Sequence, residues 1–324
     1  MVNFADRLLE KIDEKQNPIC IGLDPRLDLI PKHICDSSGT EFDGAGNAIF
    51  RFNRALIDQL FDIVPAVKPQ MAFYEQFGSK GVRAFEQTVE YAREKGLIVI
   101  EDGKRNDIKE TAVAYAKGHL GKVEIISAAP SELFVSAPSF GVDALTINAY
   151  LGSDGVTPFV KECKDHDKGI FVLVKTSNPS SNEFQDLVLQ TGELVYEAMA
   201  KHTAEWGQDL RGKRGYSSIG AVVGATYPAE AEKIRALLPH AIFLVPGYGA
   251  QGGGAKDVVP CFNADGYGAI VNNSRGVIFA YEKGRHACDP TQFAQAARNA
   301  ALEMKVNIIS ALHDAGKLPR SWQR

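Results

Sequence analysis

A single (β/α)8 barrel is the fold this sequence predicts, and three observations predict it. Eight short apolar runs recur along the chain, helical patterns fall between them, and 324 residues lie within the range such a barrel occupies. In order, the runs cover 19–23, 63–67, 97–100, 144–147, 170–174, 219–223, 241–245 and 268–271. They are rich in Ile, Val, Leu and Phe with little polar alternation, as expected of parallel strands covered on both faces. The intervening helical candidates are 48–60, 73–95, 186–205, 228–238 and 290–312. An open doubly wound sheet uses the same alternation, but a count of eight strands favours closure into a barrel. Three connections are longer than a barrel needs: 25–47, 122–141 and the Ser/Asn-rich opening of 177–185. The first, with its Pro, Asp and Gly, reads as a loop excursion, and long loops in compact domains are often functional. No linker divides the chain, so residues 1–324 read as one catalytic barrel domain with extended loops.

Composition narrows the class. The apolar fraction of 45% and charged fraction of 23% are those of a soluble globular protein. A net charge of −4 argues against coating nucleic acid or an anionic membrane, yet permits a local basic pocket for a phosphate. Cys20, Cys35, Cys163, Cys261 and Cys288 are odd in number, scattered, and include no C-x-x-C pair, which fits a reducing compartment. Residues 1–15 are mixed and charged, without the apolar stretch of a signal peptide, and no run reaches the ~18 apolar residues of a membrane span. The expectation is a cytoplasmic enzyme with a small-molecule substrate.

Barrel active sites form where strands end, so the last residues of each run carry the information. The first run leads into Asp24-Pro25, the second into Lys68-Pro69, the fourth into Asn148, the fifth into Lys175-Thr176-Ser177, the sixth into the uncharged Gly224-Ala225-Thr226. The third is the most informative: after Glu101 comes Asp102-Gly103-Lys104-Arg105-Asn106-Asp107-Ile108. Asp102 and Lys104 stand two apart, which on a strand gives them one face, and Asp107 follows on the turn within reach of the same space. Such a cluster is costly to bury unless every charge is paired. Alone it is also consistent with a structural ion network or a solvated turn. Asp24, Lys68, Asp102, Lys104 and Asp107 together place alternating charges on neighbouring strands at one rim. The seventh run leads into Pro246-Gly247-Tyr248-Gly249-Ala250-Gln251-Gly252-Gly253-Gly254 and the eighth into Asn273-Ser274-Arg275. Glycines let backbone N–H groups turn toward an anion, Arg275 offers a fork for phosphate oxygens, and barrels often bind phosphate after strands seven and eight. None of the seven histidines falls at a strand end, and Trp206 and Trp322 read as packing or surface residues.

These segments resemble the orotidine 5′-phosphate decarboxylases, from Gly22-Leu23-Asp24 through Lys68-Pro69, the Asp102–Ile108 motif, Thr111 and the glycine-rich run to Ser274-Arg275. The length and the form of the motif look like the longer bacterial subgroup. The resemblance implies decarboxylation of orotidine 5′-phosphate (OMP) to UMP in pyrimidine synthesis, without metal or other cofactor. It implies that Lys104 stabilises and protonates the carbanion at C6, with Asp102 near the departing carboxylate and Lys68 and Asp24 orienting the ribose. It further implies Ser177 on the pyrimidine amide edge, Pro246 and Ser274 lining the substrate site, and Gln251 and Arg275 on the phosphate. Asp107, with Ile108 and Thr111, would reach the neighbouring subunit's site in a homodimer. A sister group sharing D-x-K-x-x-D performs metal-dependent chemistry on sugar phosphates and typically carries a carboxylate at the strand-two end, where this chain has Lys68. A non-catalytic phosphate-binding barrel is the alternative outside enzymes.

Overall fold

The computed structural model describes residues 3–128, 133–249 and 252–323. Among these residues ten strands form: β1 (Ile19–Leu23), β2 (Ala66–Pro69), β3 (Ile98–Arg105), β4 (Val123–Ile126), β5 (Phe134–Ala137), β6 (Ala144–Ile147), β7 (Gly169–Lys175), β8 (Ser217–Val223), β9 (Ala241–Val245) and β10 (Ala269–Asn273). Eight of them close a parallel barrel in the order β1-β10-β9-β8-β7-β6-β3-β2, the (β/α)8 architecture. Burial separates the two faces of each strand. Ile100, Phe171, Val222, Leu244 and Ile270 pack inside the barrel, whereas Val99, Val172, Val223, Val245 and Val271 pack outward against the helices.

The helix Phe4–Lys15 closes the barrel at the end where strands begin, putting Phe4, Leu8, Leu9 and Ile12 into the inner cluster. Phe4 meets Phe171 edge-on at 6.0 Å, over Gly169, where a Cβ would stand only 2.2 Å from the Phe4 ring. With the floor sealed, the opposite mouth is left for chemistry.

Several boundaries differ from the sequence expectation. The second strand is Ala66–Pro69 rather than 63–67, because Ile63 and Val64 donate their N–H groups to Leu60 O and finish the preceding helix. Lys68 is therefore part of the strand. Residues 25–47 are not a loop throughout: Lys32–Asp36 is helical and the next helix, Glu41–Leu60, begins well before residue 48. Gly44 and Gly46 hid that start, being poor helix formers, but a Cβ would meet Gly39 O at 2.4 Å and Lys80 O at 2.7 Å. The expected helix 73–95 divides into Ala72–Glu75 and Gly78–Glu94, broken where Gly78 takes φ +59°. The expected helix 186–205 begins only at Val195. Before it, Val188 bridges Leu194 across a tight turn with Gly192 at φ +85°, and Glu197 accepts from the Leu194 N–H. Within 122–141 lies an antiparallel hairpin, β4 with β5, that the sequence did not reveal.

Candidate active site

At the carboxyl ends of the strands lies a pocket of about 240 Å³. Of the expected residues, Asp24, Lys68, Asp102, Lys104, Ser177, Pro246, Ser274 and Arg275 line it. Asp107, Ile108 and Thr111 do not line the pocket of their own chain, and Gln251 lies outside the described residues. The expectation that Asp107 shares the space of Asp102 and Lys104 within one chain is thus corrected. β3 ends at Arg105, and Asp107 caps the following backbone instead, accepting from the Ile108 N–H at 2.8 Å.

Asp102 is the hub. Its Oδ2 accepts from Lys68 Nζ at 2.8 Å and Gln70 Nε2 at 2.9 Å, and its Oδ1 accepts from Lys104 Nζ at 2.5 Å and Thr146 Oγ1 at 3.0 Å. Both oxygens are engaged twice, which is how a largely buried carboxylate remains ionised. Burial alone would raise its pKa. Lys68 and then Lys104 more than reverse that, holding it well below the usual carboxylate range. Lys68 is likewise buried, and desolvation acts against its charge, but Asp102 and Asp24 override it and push its pKa up. The lysine side chain at this strand end is not solvated as an isolated strand-end lysine would be. Asp24 shows the opposite balance: burial raises its pKa, offset only in part by Lys68 and a Ser274 hydrogen bond. Its buried Oδ1 has no hydrogen-bond partner among the described residues.

Lys104 reaches this cluster by an irregular backbone rather than by simple strand alternation. The β3–β6 register shifts between Glu101 and Arg105, and Lys104 takes φ +47°, a left-handed conformation that costs a non-glycine residue about 1–2 kcal/mol. Thr146 on β6 accepts the Lys104 N–H at 3.0 Å while donating its hydroxyl to Asp102. Strain held in place by a neighbouring strand is a mark of functional positions. The Lys104 side chain is 46% exposed toward the mouth, the most open member of the cluster.

Across the pocket, Gly247 and Gly249 adopt φ +100° and +75°. The Gly249, Gly252 and Gly253 N–H groups donate to carbonyls within their own loop, so they are not turned toward the pocket as the glycine content had suggested. The cationic group on this side is Arg275, exposed at the rim and without an ion pair among the described residues. Sequence reasoning missed Gln70, Thr146, Tyr248 and Asn272, which also line the site. Gln70 and Thr146 had a readable signal: Gln70 stands two residues beyond Lys68, and Thr146 is a polar residue inside an apolar run. Among the described residues no three His, Cys, Asp or Glu side chains gather as a metal site. His119, buried, pairs its Nδ1 with Glu101 Oε2 at 2.7 Å on the outer side of β3.

The model of the orotidine 5′-phosphate decarboxylase / HUMPS family matches residues 17–288. An orotidine 5′-phosphate decarboxylase of Rhodopirellula baltica is 43% identical over 307 residues, 94% of this chain and 98% of that protein. One from Caldicellulosiruptor bescii is 40% identical over 316 residues, 96% of this chain and all of the relative. The solved OMP decarboxylase of Leishmania donovani superposes with a TM-score of 0.69 at 30% identity, covering 95% of this chain and 98% of that one.

Proposed function

The chain belongs to the orotidine 5′-phosphate decarboxylase family and converts OMP to UMP and CO2 in pyrimidine biosynthesis; we propose that Lys104 carries the chemistry. The observation that carries this reading is the run of ion pairs Lys68–Asp102–Lys104, with its most open ammonium facing the pocket. Loss of CO2 from C6 of the pyrimidine leaves an electron pair in the ring plane, where the π-system cannot accept it. A fixed ammonium beside that carbon stabilises the developing charge and then delivers the proton. Because Lys68 and Asp102 are already oriented, little reorganisation is needed when charge appears, and preorganised electrostatics of this kind is commonly the largest catalytic term.

Asp102 lies beside the departing carboxylate and keeps Lys104 in register. Asp24, whose buried Oδ1 has no hydrogen-bond partner among the described residues, and Lys68 take the ribose hydroxyls. Ser177 meets the pyrimidine amide edge, Pro246 and Ser274 line the substrate site, and Arg275, with Gln251, grips the phosphate. Phosphate binding far from C6 then contributes energy that is realised at the reacting carbon. We further read the enzyme as a homodimer in which Asp107, Ile108 and Thr111 complete the partner's pocket. Their absence from their own pocket and the exposed apolar neighbours Val113 and Tyr115 support this. Five free cysteines accord with action in the cytoplasm.

The test is turnover of OMP, followed by loss of its ultraviolet absorbance with and without chelator. Lys104→Ala is expected to lower kcat/KM more than about 10³-fold with folding intact, since its side chain is half exposed. Near-normal turnover in that variant, or abolition of the wild-type rate by chelator, would contradict the assignment.

A further inference from the structure

Lys175 is a fully buried lysine that the chemistry above leaves unused. By strand alternation it should point into the barrel, because Phe171 and Leu173 do. It does not, because β7 bulges against β8: the pairing passes from Leu173–Val222 to Lys175–Val223, leaving Val174 without a partner. The bulge turns Lys175 outward. Its ammonium ion-pairs with Asp186 Oδ1 at 2.5 Å and lies 4.7 Å from the Tyr227 ring centre and 5.5 Å from that of Tyr196.

The neighbouring residues close the same loop. Gln185 accepts from the Thr176 N–H at 3.0 Å and donates to Thr176 Oγ1 at 2.8 Å. From the next barrel loop, Thr226 Oγ1 donates to Ser177 O at 3.2 Å and Tyr227 OH to Asn178 O at 3.3 Å. Residues 176–185 therefore leave and re-enter the barrel at one point, joined there by Lys175–Asp186 and Thr176–Gln185, with Ser177 at the start of the loop facing the pocket. A buried ammonium held by one carboxylate and two aromatic faces has a single low-energy position, unlike a solvated strand-end lysine.

We propose that Lys175 is a positioning residue for the decarboxylation: through Asp186 and the two tyrosines it fixes the base of loop 176–185 and thereby the place of Ser177. The proposal rests on the reading of Ser177 as a pyrimidine contact. Asp186→Asn is the primary variant, because the Asp186 side chain is 36% exposed and the amide keeps an acceptor oxygen for the Lys175 ammonium; Lys175→Met, which removes the buried charge itself and leaves Asp186 to solvent, is the second. Either is expected to lower kcat/KM for OMP about 10-fold or more while leaving inhibition by inorganic phosphate unchanged. In a Ser177→Ala background, Asp186→Asn should cost little further, since both act through one side chain. Backbone amides of 176–185 should exchange hydrogen faster in Asp186→Asn. Additive losses, phosphate inhibition weakened in parallel, or unchanged loop exchange would each overturn the proposal. Faster loop exchange with a silent Ser177→Ala would support the anchor and overturn the role given to Ser177 instead.

Discussion

Asp24 and Asp102 are both carboxylates of the same rim, and their environments drive them in opposite directions. Asp102 has four donors and two flanking cations; Asp24 has burial that Lys68 and one serine offset only in part, and an oxygen without a hydrogen-bond partner among the described residues. The linkage signs differ accordingly. Asp102, with its folded pKa depressed, contributes stability above its unfolded pKa that is lost only as pH falls through the lower folded value. Asp24, with its folded pKa raised, destabilises the fold at neutral pH, and that penalty fades as pH falls through the folded value and the group takes up its proton. Asp24→Asn is therefore expected to raise Tm by about 2–4 °C at pH 8, with the gain shrinking toward pH 4, while kcat/KM drops about 100-fold or more. Differential scanning calorimetry across that range, beside the OMP assay, checks both arms; a variant less stable than wild type at pH 8 would contradict the sign. At this scale the site was legible because Asp24, Lys68, Asp102 and Lys104 alternate in charge at the ends of neighbouring strands: each alone has an ordinary explanation, but the alternation is hard to reach by accident. Thr146 and Gln70 were not singled out, since a neutral polar side chain at a strand has many ordinary explanations until its partner is known.

Elements explain why those side chains converge. Period and hydrophobicity gave all eight barrel strands, since buried parallel strands must be apolar on both faces. What escaped was set by tertiary contacts. The start of the helix Glu41–Leu60 depends on close approaches at Gly44 and Gly46, the floor helix Phe4–Lys15 on a slot above Gly169, and the aim of Lys104 and Lys175 on bulges in β3 and β7. A propensity pattern contains none of these. The same close packing operates at the pocket. At Gly224, just beyond β8, a Cβ would stand 2.8 Å from Ser177 Cα and 2.9 Å from its backbone nitrogen. Backbone cannot swing aside as a side chain can, so the ends of β7 and β8 must separate to admit a methyl group. Gly224→Ala should lower stability by about 1–3 kcal/mol and kcat/KM for OMP about 10-fold or more, read by urea unfolding and steady-state kinetics. Full activity at wild-type stability would show that the loop after β7 has more freedom than its packing indicates.

For the whole molecule, the unresolved economy is that a charged residue of the family motif, Asp107, has no task in its own pocket. The helix that follows it, Lys109–His119, turns Ala112 and Ala116 to the barrel but exposes Val113 and Tyr115, and the β4–β5 hairpin beyond exposes Ile126, Leu133 and Phe134. Apolar side chains exposed on consecutive outer elements fit the proposed subunit contact, and a two-fold dimer uses one patch on both copies. If Asp107 and Thr111 of each copy complete the other's site, two inactive proteins can repair one another. In a Lys104→Ala chain paired with an Asp107→Ala chain, one pocket combines both lesions and the other has neither. Random reassortment of equal amounts makes half the dimers mixed, with one sound pocket in each, so activity should return to about a quarter of the wild-type level. The measurement is OMP turnover after co-expression or after mild denaturation and refolding of the mixture, against each variant treated alone. A pocket built from one chain would regain nothing on mixing, because Asp107→Ala would then damage only the site that carries it, and any activity would be the plain average of the two variants.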